Sequence, residues 1–341
     1  MLAPAYCQPP KNLNAIRERH AKSRGSASPS ESEYRSFVNN VLKAPNEATM
    51  LMKAGTKLLK ESDESEYLDV YNQAFTAFPK EVGFNNGLSA PQPDYVEGLT
   101  RREYDPFPVT EVSGAVLYKD DPYSLTLPHL AGEWKGTGKD MEEGRVQSAY
   151  DGAALVYVRG QALDQIGKRD PPGHAAVTTF TTDGTNANFY AHYAAPSKTN
   201  KLEYHQYQYA TANLVDSYQG FKDGRKGLRN QQDYARRQSK DLRDQLVGYW
   251  NEKHPLDDSA LEETDACEYD DPDPVPDPNQ GLDPDVAGYP VYYNQPTPAA
   301  SNSPPAAGRA SRSRKRKAPA PAPAPQRDPS EPPRRKSGRR R

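Results

Sequence analysis

An α/β domain is the fold class this chain predicts, and three stretches predict it. Leu125-Thr126-Leu127-Pro128-His129-Leu130-Ala131-Gly132-Glu133-Trp134-Lys135 reads as a strand with small residues just before its acid. Val146, Ala149, Tyr150, Ala153 and Ala154 then recur at i, i+3, i+4, i+7 and i+8, the apolar stripe of a helix. Ala175 to Thr182 and Ala187 to Ala194 flank Asp183-Gly184-Thr185-Asn186, whose Asp-Gly pair marks a hairpin turn.

Along the chain, residues 1 to about 30 are rich in Pro, Ser and basic side chains and read as a disordered arm. Residues 31–60 predict two helices broken near Pro45. Phe37, Val38, Val41 and Leu42 line the first, and Met50, Leu51, Ala54, Leu58 and Leu59 line the second. Ser65 to Phe78 has helical spacing at Tyr67, Leu68, Tyr71, Ala74, Phe75 and Phe78. Tyr95 to Leu99 is a short strand, and Val112 to Tyr118 is a further strand or part of an insertion. Leu155 to Arg159 ends the middle helix or starts a strand, and Asp170-Pro171-Pro172-Gly173 breaks the chain before the hairpin. Tyr204 to Tyr209 fits either strand or helix. Leu228 to Trp250 predicts a helix burying Tyr234, Leu242, Leu246, Tyr249 and Trp250, and His254-Pro255 ends it. No internal repeat is present.

Composition bounds what can pack. With 33 prolines, 35% hydrophobic residues and a mean hydropathy of -0.97, the whole length is too polar for one core. The formal net charge of -2 hides two opposed blocks. Leu256 to Ala307 holds 12 acidic residues and no Lys or Arg, while Gly308 to Arg341 holds 13 Lys/Arg against Asp328 and Glu331. That leaves 31 basic and 32 acidic residues in 1–255, a nearly neutral folded part. The expected organisation is a disordered arm (1–30), a folded domain (31–254), an acidic Pro-rich linker (255–307) and a basic tail (308–341). No signal-peptide pattern and no run of about 18 apolar residues stands out, which argues against secretion and a membrane partner. Cys7 and Cys267 lie in polar, Pro-rich surroundings with no disulfide or zinc spacing, so a reducing intracellular compartment is expected.

The residues with chemistry are Asp94, which follows a proline, and Glu133-Trp134-Lys135. A strand period of two puts Glu133 and Lys135 on one face and Trp134 on the other. Two carboxylates are hard oxygen ligands suited to Mg²⁺, with Mn²⁺ as the alternative, and such an ion polarises a phosphoryl oxygen. A lysine beside them orients water and offsets charge developing on the phosphate. Each residue has a plainer reading. Asp after Pro opens turns, Glu and Lys populate solvated edge strands, and Gln147 is an ordinary exposed helix residue. Glu47 suits the positive end of a helix dipole.

Pro93-Asp94, Glu133-x-Lys135 and a following helix carrying Gln147 resemble the PD-(D/E)XK nuclease superfamily, and more narrowly an uncharacterised fungal branch of it, from about Ser30 to His254. The branch's recurring pieces look like Pro45-Asn46-Glu47-Ala48, Pro93-Asp94-Tyr95 with Gly98, Glu133-Trp134-Lys135 and Tyr190-Ala191-His192-Tyr193 here. The resemblance implies a restriction-endonuclease-like central mixed sheet flanked by helices. It also implies Asp94 and Glu133 as metal ligands, Lys135 as the catalytic lysine and Gln147 as a helix residue facing the site. A first-helix acid would complete it, with Glu47 the candidate and Glu61 and Glu66 competing. The long gap between Asp94 and Glu133 implies an insertion folded out of the way.

Other constellations fall short. Gly136-x-Gly138-Lys139 lacks the Ser or Thr of a phosphate loop, Asp140 standing in its place. The six histidines have no paired zinc spacing, and no nucleophile elbow supports a Ser-His-Asp triad. The tyrosines from Tyr204 to Tyr218 could stack on bases but read better as half-buried packing. Arg312 to Lys317, Arg334-Arg335-Lys336 and Arg339-Arg340-Arg341 match nuclear-import and nucleic-acid patches. The expectation is a nuclear Mg²⁺-dependent nuclease, or a nuclease-derived protein that binds DNA or RNA, with an import receptor on the tail. The competing expectation is a non-catalytic interaction module with the same targeting tail.

Overall fold

In the computed structural model, residues 8–62, 64–118, 121–199 and 201–255 are described, and they belong to one compact unit. The basic tail (308–341), the acidic linker (255–307) beyond Pro255, and both cysteines lie outside them. Six strands form one mixed sheet in chain order: β1 (Tyr67–Tyr71), β2 (Tyr95–Thr100), β3 (Leu125–Trp134), β4 (Val177–Thr182), β5 (Asn186–Pro196) and β6 (Leu202–Asn213). Every neighbouring pair is antiparallel except β3 and β4. A parallel pair needs a long crossover, and the 25-residue helix Met141–Gln165 supplies it.

The helices are α1 (Leu13–Ala21), α2 (Glu31–Leu42), α3 (Glu47–Met50), α4 (Thr56–Leu58), α5 (Met141–Gln165) and α6 (Tyr218–Lys253). A π-helical turn, Leu51–Gly55, joins α3 to α4. Polar caps set the starts of several. Ser30 and Glu33 form a capping box on α2, Asp140 accepts from the Glu142 amide at α5, and Ser217 accepts from the Gly220 amide at α6. Asp140 thus acts as a helix cap.

Two cores lie on the two faces of the sheet. Ala131, Leu127 and Val177 pack against Leu155, Val158, Ala162 and Leu163 of α5. Leu130, Trp134, Phe180 and Phe189 pack against Phe37, Val41, Met50 and Leu58 of the early helices and Phe221 and Leu228 of α6. Burying one such side chain contributes about 1.5–3 kcal/mol. Leu242 and Leu246 carry the far half of α6 into the α5-side core. The β2–β3 ladder is irregular between Glu97 and Leu99, where Pro128 stacks on Gly98 and can donate no amide. The Asp183 carboxylate closes the β4–β5 turn by accepting from the Thr185 and Asn186 amides, with Gly184 at φ 80°.

The fold differs from the sequence expectations in four places. Residues 8–30 are ordered into the domain: α1 buries Ile16, and Asn12 exchanges two hydrogen bonds with the Ala175 backbone. Its composition is polar because α1 offers little apolar surface. Ser65 to Phe78 is β1 and a following loop, where β-branched and aromatic residues pair with β2 in place of making a helix. The insertion after β2 is not folded aside. Tyr104, Phe107, Val109, Val112, Ala115, Val116 and Leu117 are buried in the α5-side core. Helix α6 starts well before Leu228, at Tyr218, through glycines that favour turns in isolation. A Cβ on Gly227 would sit 2.1 Å from the His20 ring, so glycine there permits α1 to lie against α6. Tyr204 to Tyr209 lies in β6, with Tyr209 buried and Tyr204 and Tyr207 half-buried. No helix among the described residues is long and apolar enough to cross a membrane.

The ordered N-terminal segment yields a direct expectation. Ile16→Ala should destabilise the domain by about 2–4 kcal/mol in a urea titration, as for other fully buried aliphatic truncations. A change within error of zero would contradict the docking of α1.

Candidate functional site

The carboxyl end of β3 is where the chemistry-bearing side chains meet. Asp94 sits one residue before β2, and antiparallel pairing of Tyr95 with Gly132 brings it beside the end of β3. Its Oδ2 accepts from the Trp134 amide at 2.7 Å. Glu133 and Lys135 share the α5-side face, while Trp134 turns into the opposite core between Phe180 and Gly55. The Lys135 amide donates to the Thr182 carbonyl at 2.8 Å, extending the parallel ladder past the strand end. Lys135 Nζ lies 3.6 Å from Glu133 Oε2.

Helix α5 supplies a further acid. Gly144, Ser148 and Asp151 form its buried face over the site, about one turn apart. Gly144 leaves room for the Lys135 chain, because a Cβ there would stand 3.3 Å from Lys135 Cγ. Ser148 hydrogen-bonds Thr179 at 2.5 Å, and Thr179 meets His192 Nε2 at 2.7 Å, which ties α5 to β4 and β5. Asp151 faces Glu133, and its Oδ2 is buried with no donor among the described residues unless Glu133 carries a proton. Glu133, Lys135 and Asp151 are only 3%, 6% and 3% exposed, and Asp94 is half-buried at the rim.

Burial and crowding raise every carboxyl in the group. Desolvation, then the charges of Asp151 and Asp94, push Glu133 up. Desolvation, with Asp94 adding repulsion, pushes Asp151 up. Asp94 is also raised by burial, against the opposing Trp134 amide and Lys135 charge. Both members of the Glu133–Asp151 pair therefore hold protons more tightly than isolated carboxylates do.

Of the candidate residues, Asp94, Glu133 and Lys135 come together. Gln147 does not: it is exposed on the outer side of α5, and Asp151 one turn on faces inward. The helical phase that Val146, Ala149, Tyr150, Ala153 and Ala154 predict is rotated from the observed one, since Val146 is 57% exposed. The inward face is small and polar because it covers a charged site. A Gly144, Ser148, Asp151 spacing was the available signal. Among the competing acids, Glu47 reaches the rim, where its Oε1 accepts from the Gly136 amide at 3.2 Å and its charge acts on Asp94. Glu47 also occupies the first turn of α3 after the Asn46 cap, so both readings of it hold. Glu61 is exposed beyond α4, and Glu66 pairs with Lys240 at 2.9 Å.

The donor set suits a hard divalent cation: carboxylate oxygens, one of them lacking a donor, beside a single lysine. Among the described residues no three His, Cys, Asp or Glu side chains are set to close around an ion as they stand. Mg²⁺ commonly uses one or two carboxylates and keeps several waters, so Asp94 and Glu133 suffice in number. A cavity of about 460 Å³ lies elsewhere, between the second half of α5 and β4–β6, lined by Val156, Arg159, His174 and Tyr204. Size alone does not make it the chemical centre. Comparison with family models, curated proteins and solved structures produced no match for this chain.

The raised carboxyls set a pH dependence. The native state holds protons that the unfolded chain releases near the ordinary carboxylate range, so these groups lower stability as pH rises above that range. Glu133→Gln removes one ionisable member while keeping the shape. It should raise the melting temperature of the metal-free protein at alkaline pH, by on the order of 1 kcal/mol in stability, and change little at acid pH. Equal or lower stability of the variant at alkaline pH would show that the acids are not crowded.

Proposed function

We propose that residues 8–254 form a restriction-endonuclease-like domain of the PD-(D/E)XK type that hydrolyses phosphodiesters of DNA or RNA in the nucleus with Mg²⁺ or Mn²⁺. The observation that carries this reading is the meeting of Asp94, Glu133, Lys135 and Asp151 at the end of one parallel strand. The parallel β3–β4 pair with its α5 crossover supports it, because ligands of such sheets gather outside the carboxyl ends of the strands.

Asp94 and Glu133 would hold the ion, with Asp151 behind Glu133. The ion, when bound, polarises a phosphoryl oxygen. Asp94 is held in place by the Trp134 amide, so its free oxygen is presented at the rim. Lys135 offsets negative charge growing on phosphorus as water attacks and the bond to the leaving sugar oxygen breaks. The proton lost by that water would leave through solvent at the Asp94 rim, and the leaving sugar oxygen would take one from solvent.

Burial favours a second reading. Three of the four groups are nearly inaccessible, and Lys135 is satisfied by Glu133. A non-catalytic scaffold that retains the buried charges and binds a partner is consistent with that. Cleavage assays on single- and double-stranded DNA and RNA with Mg²⁺ or Mn²⁺ separate the two. Glu133→Ala and Lys135→Ala should each lower cleavage by at least about 10²-fold while the domain stays folded. A full-length protein that cleaves none of these substrates supports the scaffold.

The basic tail belongs to the same proposal on charge alone. Truncation before Gly308 should abolish nuclear accumulation of a tagged protein and flatten the salt dependence of nucleic-acid binding, since fewer phosphates are neutralised. Unchanged localisation with an unchanged salt slope would remove both roles.

A further inference from the structure

Outside the carboxylate group, the loop after α1 and the first turns of α6 enclose a cavity of about 150 Å³. That space is large enough for a phosphate group. Five cationic side chains line it (Arg24, Lys222, Arg225, Lys226 and Arg229) against one acid, Asp223. Asp223 is engaged by Lys226 at 2.8 Å, and Arg24 is paired outside the cavity with Asp233 at 2.6 Å. Arg225 and Arg229 have no carboxylate within ion-pair reach among the described residues. They donate to the carbonyls of Lys57, Leu58 and Leu59 instead. Those bonds cap the end of α4, which is the structural use of the two guanidinium groups and accounts for only part of their donors. Lys222 lies over the Tyr218 ring at 4.8 Å, with no carboxylate in ion-pair reach among the described residues.

The positive charge is therefore in excess where it is least well solvated. Burial first, and then the charges of Arg225 and Arg24, lower Arg229 to about 10 against the pull of Glu33 and Asp233, and burial with Arg24 lowers Arg225 against that of Glu33. Arg24 also keeps a buried Nε–H with no acceptor among the described residues. A chain selected for stability alone gains nothing from placing like charges together in this way. An anion in the cavity would offset the repulsion and supply an acceptor, and planar guanidinium forks match phosphate oxygens in pairs.

We propose that the cavity between the α1–α2 loop and α6 is a binding site for a phosphate group. A phosphodiester of a nucleic-acid backbone and a free phosphomonoester present the same anionic oxygens to it. The site stands apart from hydrolysis: it uses neither Glu133 nor a metal, so it can hold if the nuclease reading fails.

The test uses the full chain without divalent cations. Inorganic phosphate should raise its melting temperature above that in chloride of equal ionic strength. Lys222→Glu, which gives up the contact with the Tyr218 ring and no hydrogen bond or ion pair among the described residues, should remove that rise while leaving the melting temperature in chloride near that of the native chain. Arg225→Lys keeps the charge and loses the fork, and should weaken it in part. With a labelled single-stranded oligonucleotide, Lys222→Glu should lower the slope of log affinity against log salt by about 0.7, one phosphate contact on a single strand. Loss of the phosphate response with an unchanged oligonucleotide slope assigns the site to a free phosphomonoester. No phosphate response in the native chain, or one that Lys222→Glu leaves intact, overturns the proposal.

Discussion

Two buried carboxyl groups and a half-buried third beside one lysine are the constraint on which the arrangement around β3 depends. Removing like charges from water is costly, and a single lysine at 3.6 Å cannot compensate Glu133, Asp151 and Asp94 together. Crowding raises the proton affinity of Glu133 and Asp151, and Asp94 accepts from the Trp134 amide. The surrounding architecture follows. Gly144 lets α5 come down onto Lys135, and the Ser148–Thr179–His192 chain anchors that helix to the sheet. Trp134, pointing the other way, fastens the same strand end into the second core.

The alternation at Glu133, Trp134 and Lys135 was legible because a strand's period of two needs no tertiary knowledge. The hairpin at Asp183-Gly184 was legible for a similar local reason, since the Asp side chain makes its own turn. Helix α5 was legible as a helix and misread in phase. Periodicity assigns the apolar face to the core, and here the inward face is Gly144, Ser148 and Asp151. The same assumption put Gln147 in the site and left Asp151 out.

Other misreadings share one cause, the decision of local propensity by distant partners. The segment from Tyr67 to Tyr71 has helical spacing, yet it pairs residue by residue with β2. Residues 8–30 look like a tail by composition, yet Ile16 is buried in the second core and Asn12 is bonded to the approach to β4. The glycines opening α6 look like breakers until the His20 ring is seen against Gly227. In each case the pattern was present and its meaning lay in residues far along the chain.

If Asp94 and Glu133 hold a divalent cation, as proposed, its binding should displace a proton from the crowded carboxyls. Calorimetric titration of the full chain with Mn²⁺, in two buffers of different ionisation enthalpy at neutral pH, measures that exchange directly. The expected result is saturable binding with proton release, and loss of both in Glu133→Gln. Binding without proton release, or binding that Glu133→Gln leaves unchanged, would contradict it.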